Sequence, residues 1–510
     1  MAYFSLKAYD ADVFLTSFLG LQQAGDGVGT DIRYAMECKN VETPFGILQP
    51  EAAPIIIETG FTAKIETLAK LHRRWYSGLG SKNWLFAATA GKIYYKHEGT
   101  TDAWTQLAFP TGVSAYSSNA WSFASYEVNP EGSASPVDVL LMSNATDGMI
   151  IIKPPYTADV SNPDWKAEAV DTLGKKFGVI ERYAERIWGG AIAEEPDTLM
   201  YSRPFDPEDW TAAGEDEEPE YGAGDISQPS WDGDSFTGLR AFGSQLIAFK
   251  KNRVWRILGT DPGEYTFKEQ YGGGTAYPNT IAVDVERILM AEREGFSVYD
   301  GLSVSPYYRE LIEKLWSTVN KTAMDQMCGV LFKERYYLSV PTGTSTKNND
   351  MIVLNLRDKT ILYYTDTNIE SFLATDEALY ATSSTAPGKV VLLPYDSWAS
   401  GSAVGKPTKW VTPWIDFNRK SYNKGGFEVY FNPEVRHYPV TFKFSIETEK
   451  KTKTKCVTVN PTTIKAKQKR VRFGGTGRKF RLIIETMGLP EGSTWRLTGG
   501  IQMVVETDPD

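Results

Sequence analysis

Apolar and polar residues are grouped in this chain as short paired runs. Residues 245–259 read Gln-Leu-Ile-Ala-Phe-Lys, a charged turn at Lys251 and Asn252, then Val-Trp-Arg-Ile-Leu from Val254. Residues 287–301 repeat the form around a turn at Glu294 and Gly295. Four or five β-prone residues, a tight polar turn and a second such run predict a β-hairpin, and neither run is long enough for an ordinary helix. The same unit recurs at 83–96, 138–152, 186–201, 330–340, 351–364 and 379–393. The early copies recur at roughly the 40 to 60 residues of a propeller blade. The copies at 330 and 351 are too close for separate blades and predict the two halves of one four-stranded meander. Dividing residues 55–400 by a blade of about 45 to 50 residues predicts about seven blades, six to eight allowing for insertions. The run from Ile55 to Thr67 is expected to complete the blade ending near Leu393, because a toroid must hide its last edge.

From about Pro407 the pattern changes to strict alternation, at 424–431, 440–447, 479–485 and 501–506. Period two with one polar face predicts a β-sandwich of two antiparallel sheets. Residues 1–50 carry glycines at 20, 25, 27 and 29 and few long apolar runs, and predict an extended arm. Its Phe4, Phe14, Leu15, Phe18 and Leu19 call for burial, on the propeller or on a neighbouring subunit. The expected fold is thus all-β: arm 1–50, β-propeller 51–404 and basic β-sandwich 405–510. Only residues 309–316 show helical spacing, predicting one short helix inserted in a loop.

Composition supports a folded chain: 510 residues, 42% hydrophobic and 13% aromatic, with 44 glycines and 27 prolines as turn punctuation. Three separated cysteines, Cys38, Cys328 and Cys456, give neither a disulfide framework nor a zinc spacing, and are expected as buried thiols. No secretory leader and no apolar run long enough to span a membrane is read, which predicts folding in a reducing cytosol.

Catalytic chemistry finds little purchase. His72, His97 and His437 have no partner at metal-ligand spacing, and no G-x-S-x-G elbow, H-E-x-x-H or Walker loop occurs. Gly272 to Gly274 open no apolar helix, so a plain loop is expected there. The acidic run 215–220 could hold calcium through its carboxylates, but it lacks the D-x-D-x-D-G order and is expected as a solvated loop. Glycosidase propellers carry Asp boxes of the form S-x-D-x-G-x-x-W. In Ser230-Trp-Asp-Gly-Asp234 the glycine comes one place early. Trp231-Asp232 is the only Trp-Asp pair, so a WD-type propeller is unsupported. No metal, no cofactor and no enzymatic activity are therefore expected.

The stretch from Arg186 to Trp188, the string Tyr201-Ser-Arg-Pro-Phe-Asp-Pro-Glu-Asp-Trp210, and residues 238–250, 253–259 and 295–301 together resemble β-propeller virion proteins of tailed bacteriophages. The type is the tail hub or nozzle of short-tailed phages, including packaged-DNA stabilisation proteins. Residues 31–41 and 46–48 of the arm, and 414–417 and 427–431 after the propeller, agree with it. The resemblance implies a structural tail subunit in the virion, assembled in the host cytoplasm. It implies a closed homo-oligomeric ring, usually of six copies, below the portal and adaptor, whose lumen retains and conducts the genome during ejection. A carbohydrate- or receptor-binding module of a tail fibre is the alternative, and a glycosidase of unrecorded type a third reading.

Charge singles out one surface. The chain carries −10 net, yet between Arg419 and Arg481 the acidic residues are only Glu428, Glu434, Glu447 and Glu449. Lys451, Lys453 and Lys455 alternate with threonines just after Lys450, so they are expected to point one way along a strand. Lys465, Lys467, Lys469, Arg470 and Arg472 repeat the arrangement, and the two runs could lie side by side. A ladder of like charge needs an answer: phosphates of DNA, the acidic surface of an adjacent protein, or solvent alone, with lysine guarding a sheet edge.

Overall fold

The computed structural model describes residues 9–509 apart from 25–26, 28, 75–81, 130–135, 155–164, 171–173, 229–232, 271, 395, 417–421, 462–466 and 491. Seven four-stranded antiparallel sheets follow one another as propeller blades. Blade 1 begins with Thr67–Arg73, blade 2 with Ser122–Val128, blade 3 with Val179–Tyr183 and blade 4 with Phe236–Phe242. Blades 5, 6 and 7 begin with Ala282–Val283, Cys328–Phe332 and Ile369–Ala374. These first strands lie against those of neighbouring blades and so surround the axis. The hairpins legible in the sequence are the two middle strands of blades 1 to 5 and 7, while the runs at 330–340 and 351–364 belong together to blade 6, residues 328–364.

Ring closure follows the expected route. Ile55–Phe61 pairs antiparallel with Gly388–Leu392, the third strand of blade 7, with Leu392 opposite Ile55 and Gly388 opposite Phe61. The last blade is thereby built from both ends of the propeller segment, which removes an open interior edge. Aromatic side chains fill the gaps between blades. Trp165 packs edge-on to Trp84 at 5.5 Å and to Phe86 at 5.3 Å between blades 1 and 2, and Trp188 is fully buried between blades 3 and 4. Each such side chain contributes roughly 1.5–3 kcal/mol on burial.

Gly274 shows what the glycine-rich loop does. A Cβ there would lie 1.9 Å from the Lys250 carbonyl oxygen and 2.5 Å from that of Arg253. The loop is thus pressed on the blade 4 hairpin, and Thr275 N–H donates to Lys250 O at 3.0 Å. The one α-helix of eight residues, α1 (Arg309–Trp316), buries Ile312, Leu315 and Trp316 against blade 5.

The sandwich interleaves the two ends of the chain. The arm supplies strands β1 (Tyr9–Leu15) and β2 (Glu37–Lys39). The C-terminal segment supplies β3 (Thr408–Val411), β4 (Tyr422–Arg436), β5 (Val440–Thr448), β6 (Thr452–Val459), β7 (Lys469–Gly477), β8 (Phe480–Thr486) and β9 (Thr494–Pro509). One sheet runs β1-β9-β4-β7 and the other β6-β5-β8-β3-β2. Thus each sheet has one edge made by the arm and the opposite edge made by β6 or β7. The arm packs within its own chain: Phe18, 1% exposed, meets Trp410 edge-on at 5.2 Å. Leu15 and Leu21 are also buried, whereas Phe14 is 56% exposed, and Phe4 lies outside the described residues.

A single hydrophobic core runs from the sandwich (Phe431, Phe444, Leu482, Trp495) through Leu15 and Phe18 to blades 5 and 6 and α1 (Phe296, Trp316, Tyr336, Leu354). One cysteine departs from expectation: Cys38 and Cys328 are buried, but Cys456 is exposed on the outer face of β6, opposite Lys443 rather than a core residue. No helix among the described residues is long and apolar enough to cross a membrane.

Candidate functional site

The basic residues meet at the sandwich edge away from the arm. β6 pairs with β5 so that Lys455 stands opposite Phe444 and Lys453 opposite Ile446. Both partners are core residues. Cross-strand partners share a face, so Lys453 and Lys455 leave the inner face of the sheet where the sandwich opens, with Lys451 continuing their row. The alternate residues face outward, where Thr454 bonds Ser445 at 2.8 Å and Thr458 bonds Thr441 at 2.9 Å. On the facing sheet Lys469 stands opposite the fully buried Phe431, so it too leaves an inner face. Gly475 of β7 lies beside the row: a Cβ there would stand in ordinary contact, 3.8 Å from Lys451 Cε and 3.9 Å from Lys453 Cγ. The aliphatic stems of these lysines cover the mouth of the core while their ammonium groups reach water.

The two runs are therefore edges of opposite sheets, not neighbours in one ladder. Arg470 and Arg472 point outward from β7 and are both answered by Glu428 of β4, each at 2.5 Å. Arg470 also covers the Tyr430 ring at 5.6 Å. Lys450 occupies the exposed turn between β5 and β6, its backbone N–H near Thr448 Oγ1 at 3.4 Å. Lys467 is exposed just before β7, and Lys465 lies outside the described residues. Lys451, Lys453, Lys455, Lys467 and Lys469 have no ion-pair partner among the described residues.

On and beside the inner strands of the blades, ionisable side chains stand in pairs. Glu181 of blade 3 lies 3.8 Å from Arg240 of blade 4, and burial between the blades pushes its carboxyl up to about 7 although about a quarter of the side chain is exposed. Lys64 bonds Glu370 at 2.9 Å, and Arg74 joins Asp138 at 2.7 Å with Glu127 beside it. Among the described residues no three His, Cys, Asp or Glu side chains stand together as metal ligands. His97 instead stacks on Trp84 at 5.0 Å. Ser230, Trp231 and Asp232 lie outside the described residues.

With this geometry in view, comparison with known proteins adds the following. No protein-family model matches the chain, and no curated protein matches it in sequence. Among solved structures it is similar to PorZ, an essential bacterial surface component of the type-IX secretion system of Porphyromonas gingivalis. The identity is 11% over 70% of this chain, with a TM-score of 0.37, and the chain spans 42% of the PorZ chain. It is similar to a glycoside hydrolase family 43 arabinoxylan arabinofuranohydrolase from Bacillus subtilis (9% identity, 89% of this chain and 98% of that one, TM-score 0.25). An exo-β-1,3-galactanase from Phanerochaete chrysosporium matches at 10% identity over 90% and 100% of the two chains, TM-score 0.27. These are likenesses of fold alone.

They correct one expectation. The sequence was read as that of a protein without enzymatic activity, yet glycoside hydrolases stand among the structures the chain matches. The physical reason is that glycoside hydrolysis needs little more than two carboxyl groups held at a set separation. Such a pair can come from separate blades and leaves no spacing motif in the sequence, so the missing motifs exclude nothing.

Arg186, Arg203 and Trp210, quoted above only within the motif strings, have a role that the sequence did not reveal. Arg186, 1% exposed, donates from Nη1 to Ser202 O and Gly222 O at 2.7 Å, and from Nη2 to Glu220 O. Arg203 adds bonds to Thr211 O at 3.2 Å, Ala212 O at 3.1 Å and Glu217 Oε2 at 2.6 Å. The acidic loop of blade 3 is thus pinned at both ends. Trp210 anchors its base, bonding Pro207 O at 3.0 Å and packing on Phe177 at 5.0 Å. The loop presents Glu215, Asp216, Glu218 and Glu220 to solvent, and none has a side-chain partner among the described residues.

Two buried carboxyls, Glu42 and Glu51, sit where arm, blade 6 and the segment leading to the sandwich converge. Glu42 accepts from Ala52 N–H at 3.2 Å and Gln49 Nε2 at 3.1 Å, and Gln49 also donates to Asp396 at 2.7 Å. Glu51 lies 3.6 Å from Lys406 Nζ. Burial pushes each carboxyl up to about 7, against the pull of Arg335 on Glu42 and of Lys406 on Glu51.

Proposed function

We propose that this chain is a structural virion protein of a tailed bacteriophage, a hub or nozzle subunit that closes with copies of itself into a ring below the portal and adaptor and retains and conducts the genome. The observation that carries the reading is the shared core. The arm is threaded through both sheets of the sandwich, and the same core continues into blades 5 and 6. A subunit that must hold a fixed angle to its neighbours needs this stiffness, because a ring closes only when every heterologous contact repeats one rotation. The motif strings at 186–188 and 201–210 support the reading, since both build the pinned loop of blade 3. Exposed apolar side chains are available for contacts with neighbours: Ile55 (49%) and Ile56 (58%) on the closing strand, Phe45 (90%) and Val285 (95%).

A second reading, a carbohydrate- or receptor-binding module, draws on a cleft of about 580 Å³ between the arm and blades 5 and 6. Tyr34 and Tyr308 line it with Gln22, Asp31 and Lys359, an aromatic and polar lining suited to sugars. Electron microscopy of the purified protein separates the two. Rings with an axial hole are the expected result; isolated monomers that bind glycans would replace the hub reading with the second.

A further inference from the structure

We infer that the lysine edge of the sandwich docks on the acidic loop of blade 3 of the neighbouring copy, forming the head-to-tail contact of the ring; this rests on the ring reading above. Lys451, Lys453, Lys455, Lys467 and Lys469 project from one edge without an ion-pair partner among the described residues. Glu215, Asp216, Glu218 and Glu220 project likewise from a loop pinned by Arg186 and Arg203. The signs are opposite and the numbers similar, five ammonium groups to four carboxylates. Both surfaces are held by structure, so little ordering entropy is lost on contact.

The two surfaces belong to separate parts of the fold. The sandwich shares its core with blades 5 and 6, while the acidic loop extends from blade 3, which contributes no residue to that core. Blade 4 intervenes. A positive surface on one part of a subunit and a negative one on another can pair between copies as a heterologous contact, the kind that closes by rotation.

A polyanion such as DNA fits this edge less well. The arginines best shaped for bidentate phosphate contact, Arg470 and Arg472, are already held by Glu428, and the chain as a whole carries −10. Row and loop instead offer a protein contact made of many modest pairs, sensitive to salt over a Debye length of about 8–10 Å.

The test is a charge exchange in the full chain. One variant carries Lys451→Glu, Lys453→Glu and Lys455→Glu, a second carries Glu215→Lys, Asp216→Lys, Glu218→Lys and Glu220→Lys, and a third combines both sets. Self-association is followed by sedimentation at ~50 mM and ~300 mM salt, ring formation by electron microscopy, and folding by thermal midpoint. Each one-sided reversal is expected to weaken association by roughly tenfold or more, and the combined variant to recover most of that loss. The neutral triple variant with glutamine at 451, 453 and 455 should fall between, which separates lost attraction from misfolding. Rings unaffected by either reversal would overturn the docking while leaving the hub reading standing. So would a lysine variant that loses retardation of duplex DNA with its self-association intact, which would assign the edge to nucleic acid. A wild-type protein that forms no ring at any salt would remove the hub reading and the docking with it.

Discussion

Replacing Glu51 by glutamine should remove about half of the pH dependence of the junction between arm, blade 6 and sandwich, over a range where the wild-type junction softens. Glu51 is 8% exposed and Glu42 3%, and burial raises each carboxyl from the usual 4.5 to about 7. A folded-state value above the unfolded one means that the folded junction binds more protons between these limits. Stability is therefore greatest below about 4.5 and is lost as pH rises to about 7. Between pH 5 and 8 each carboxyl costs on the order of 2–3 kcal/mol, the part of the linkage that falls above the pH at which the unfolded carboxyl has begun to ionise. The titratable groups facing the pair are Arg335, the neutral phenol of Tyr364 and, through Gln49, Asp396 around Glu42, with Lys406 and Asp366 around Glu51. Glu51 is the better target because Lys406 already donates to Thr365 O and loses only a 3.6 Å ion pair. The assay is amide hydrogen exchange, corrected for intrinsic rate, at Glu51 N–H, Ala52 N–H and Val404 N–H, which bond Asn40 O, the Glu42 carboxylate and Glu51 O. Wild-type protection should fall by several kcal/mol of opening energy across that range, and about half of the fall should vanish in Glu51→Gln. Equal pH dependence in the two proteins, or protection that rises with pH, would refute the reasoning.

Two backbone substitutions should move stability in opposite directions. Gly274→Ala places a methyl group 1.9 Å from Lys250 O with carbonyl oxygens on both sides, so the loop must lift off blade 4; a loss of about 3 kcal/mol or more is expected in thermal or urea unfolding. Glu334→Gly acts at the tight turn between the first two strands of blade 6, where Lys333 and Glu334 both hold positive φ, 47° and 60°. Relief of left-handed strain, less the added freedom of the unfolded chain, should stabilise by on the order of 1 kcal/mol, read as a raised melting temperature.

The hairpins were legible because the middle strands of a blade are covered by neighbouring blades on both faces. Gln245–Lys250 and Arg335–Val340 are buried almost throughout, and a buried run between turn residues stands out in a sequence. Outer strands such as Thr266–Gln270 and Lys166–Ala169 are mostly exposed, carry no apolar pattern, and could be placed only by arithmetic on blade length. The closing strand was deduced from topology, since Ile55, Ile56 and Ile57 are all at least partly exposed on an edge and resemble a misplaced core run. The arm gave no such handle. β1 pairs with a strand nearly 500 residues away, and no local pattern records a partner at that distance.

Charge was legible as pattern but not as answer. Alternation at 451, 453 and 455 fixed a common face, yet which face depended on register against β5. There Lys455 falls opposite Phe444 and makes the row an inner one. The answer to Arg470 and Arg472 was Glu428, one of only four carboxylates in a strongly basic stretch and reachable only through the pairing of β4 with β7. The lysines differ because the open mouth of the sandwich offers no strand on which a carboxylate could sit. Their stems must lie along the core and their charges must leave it. An edge built this way resists pairing with a stray strand, and it also gathers five positive charges along one rim of the sandwich. Solubility alone would be served as well by lysines in any arrangement. A fixed row opposite a pinned row of carboxylates on another face is what a contact between copies requires, and for that reason the reversal of charge on both surfaces, rather than on one, decides what the edge is for.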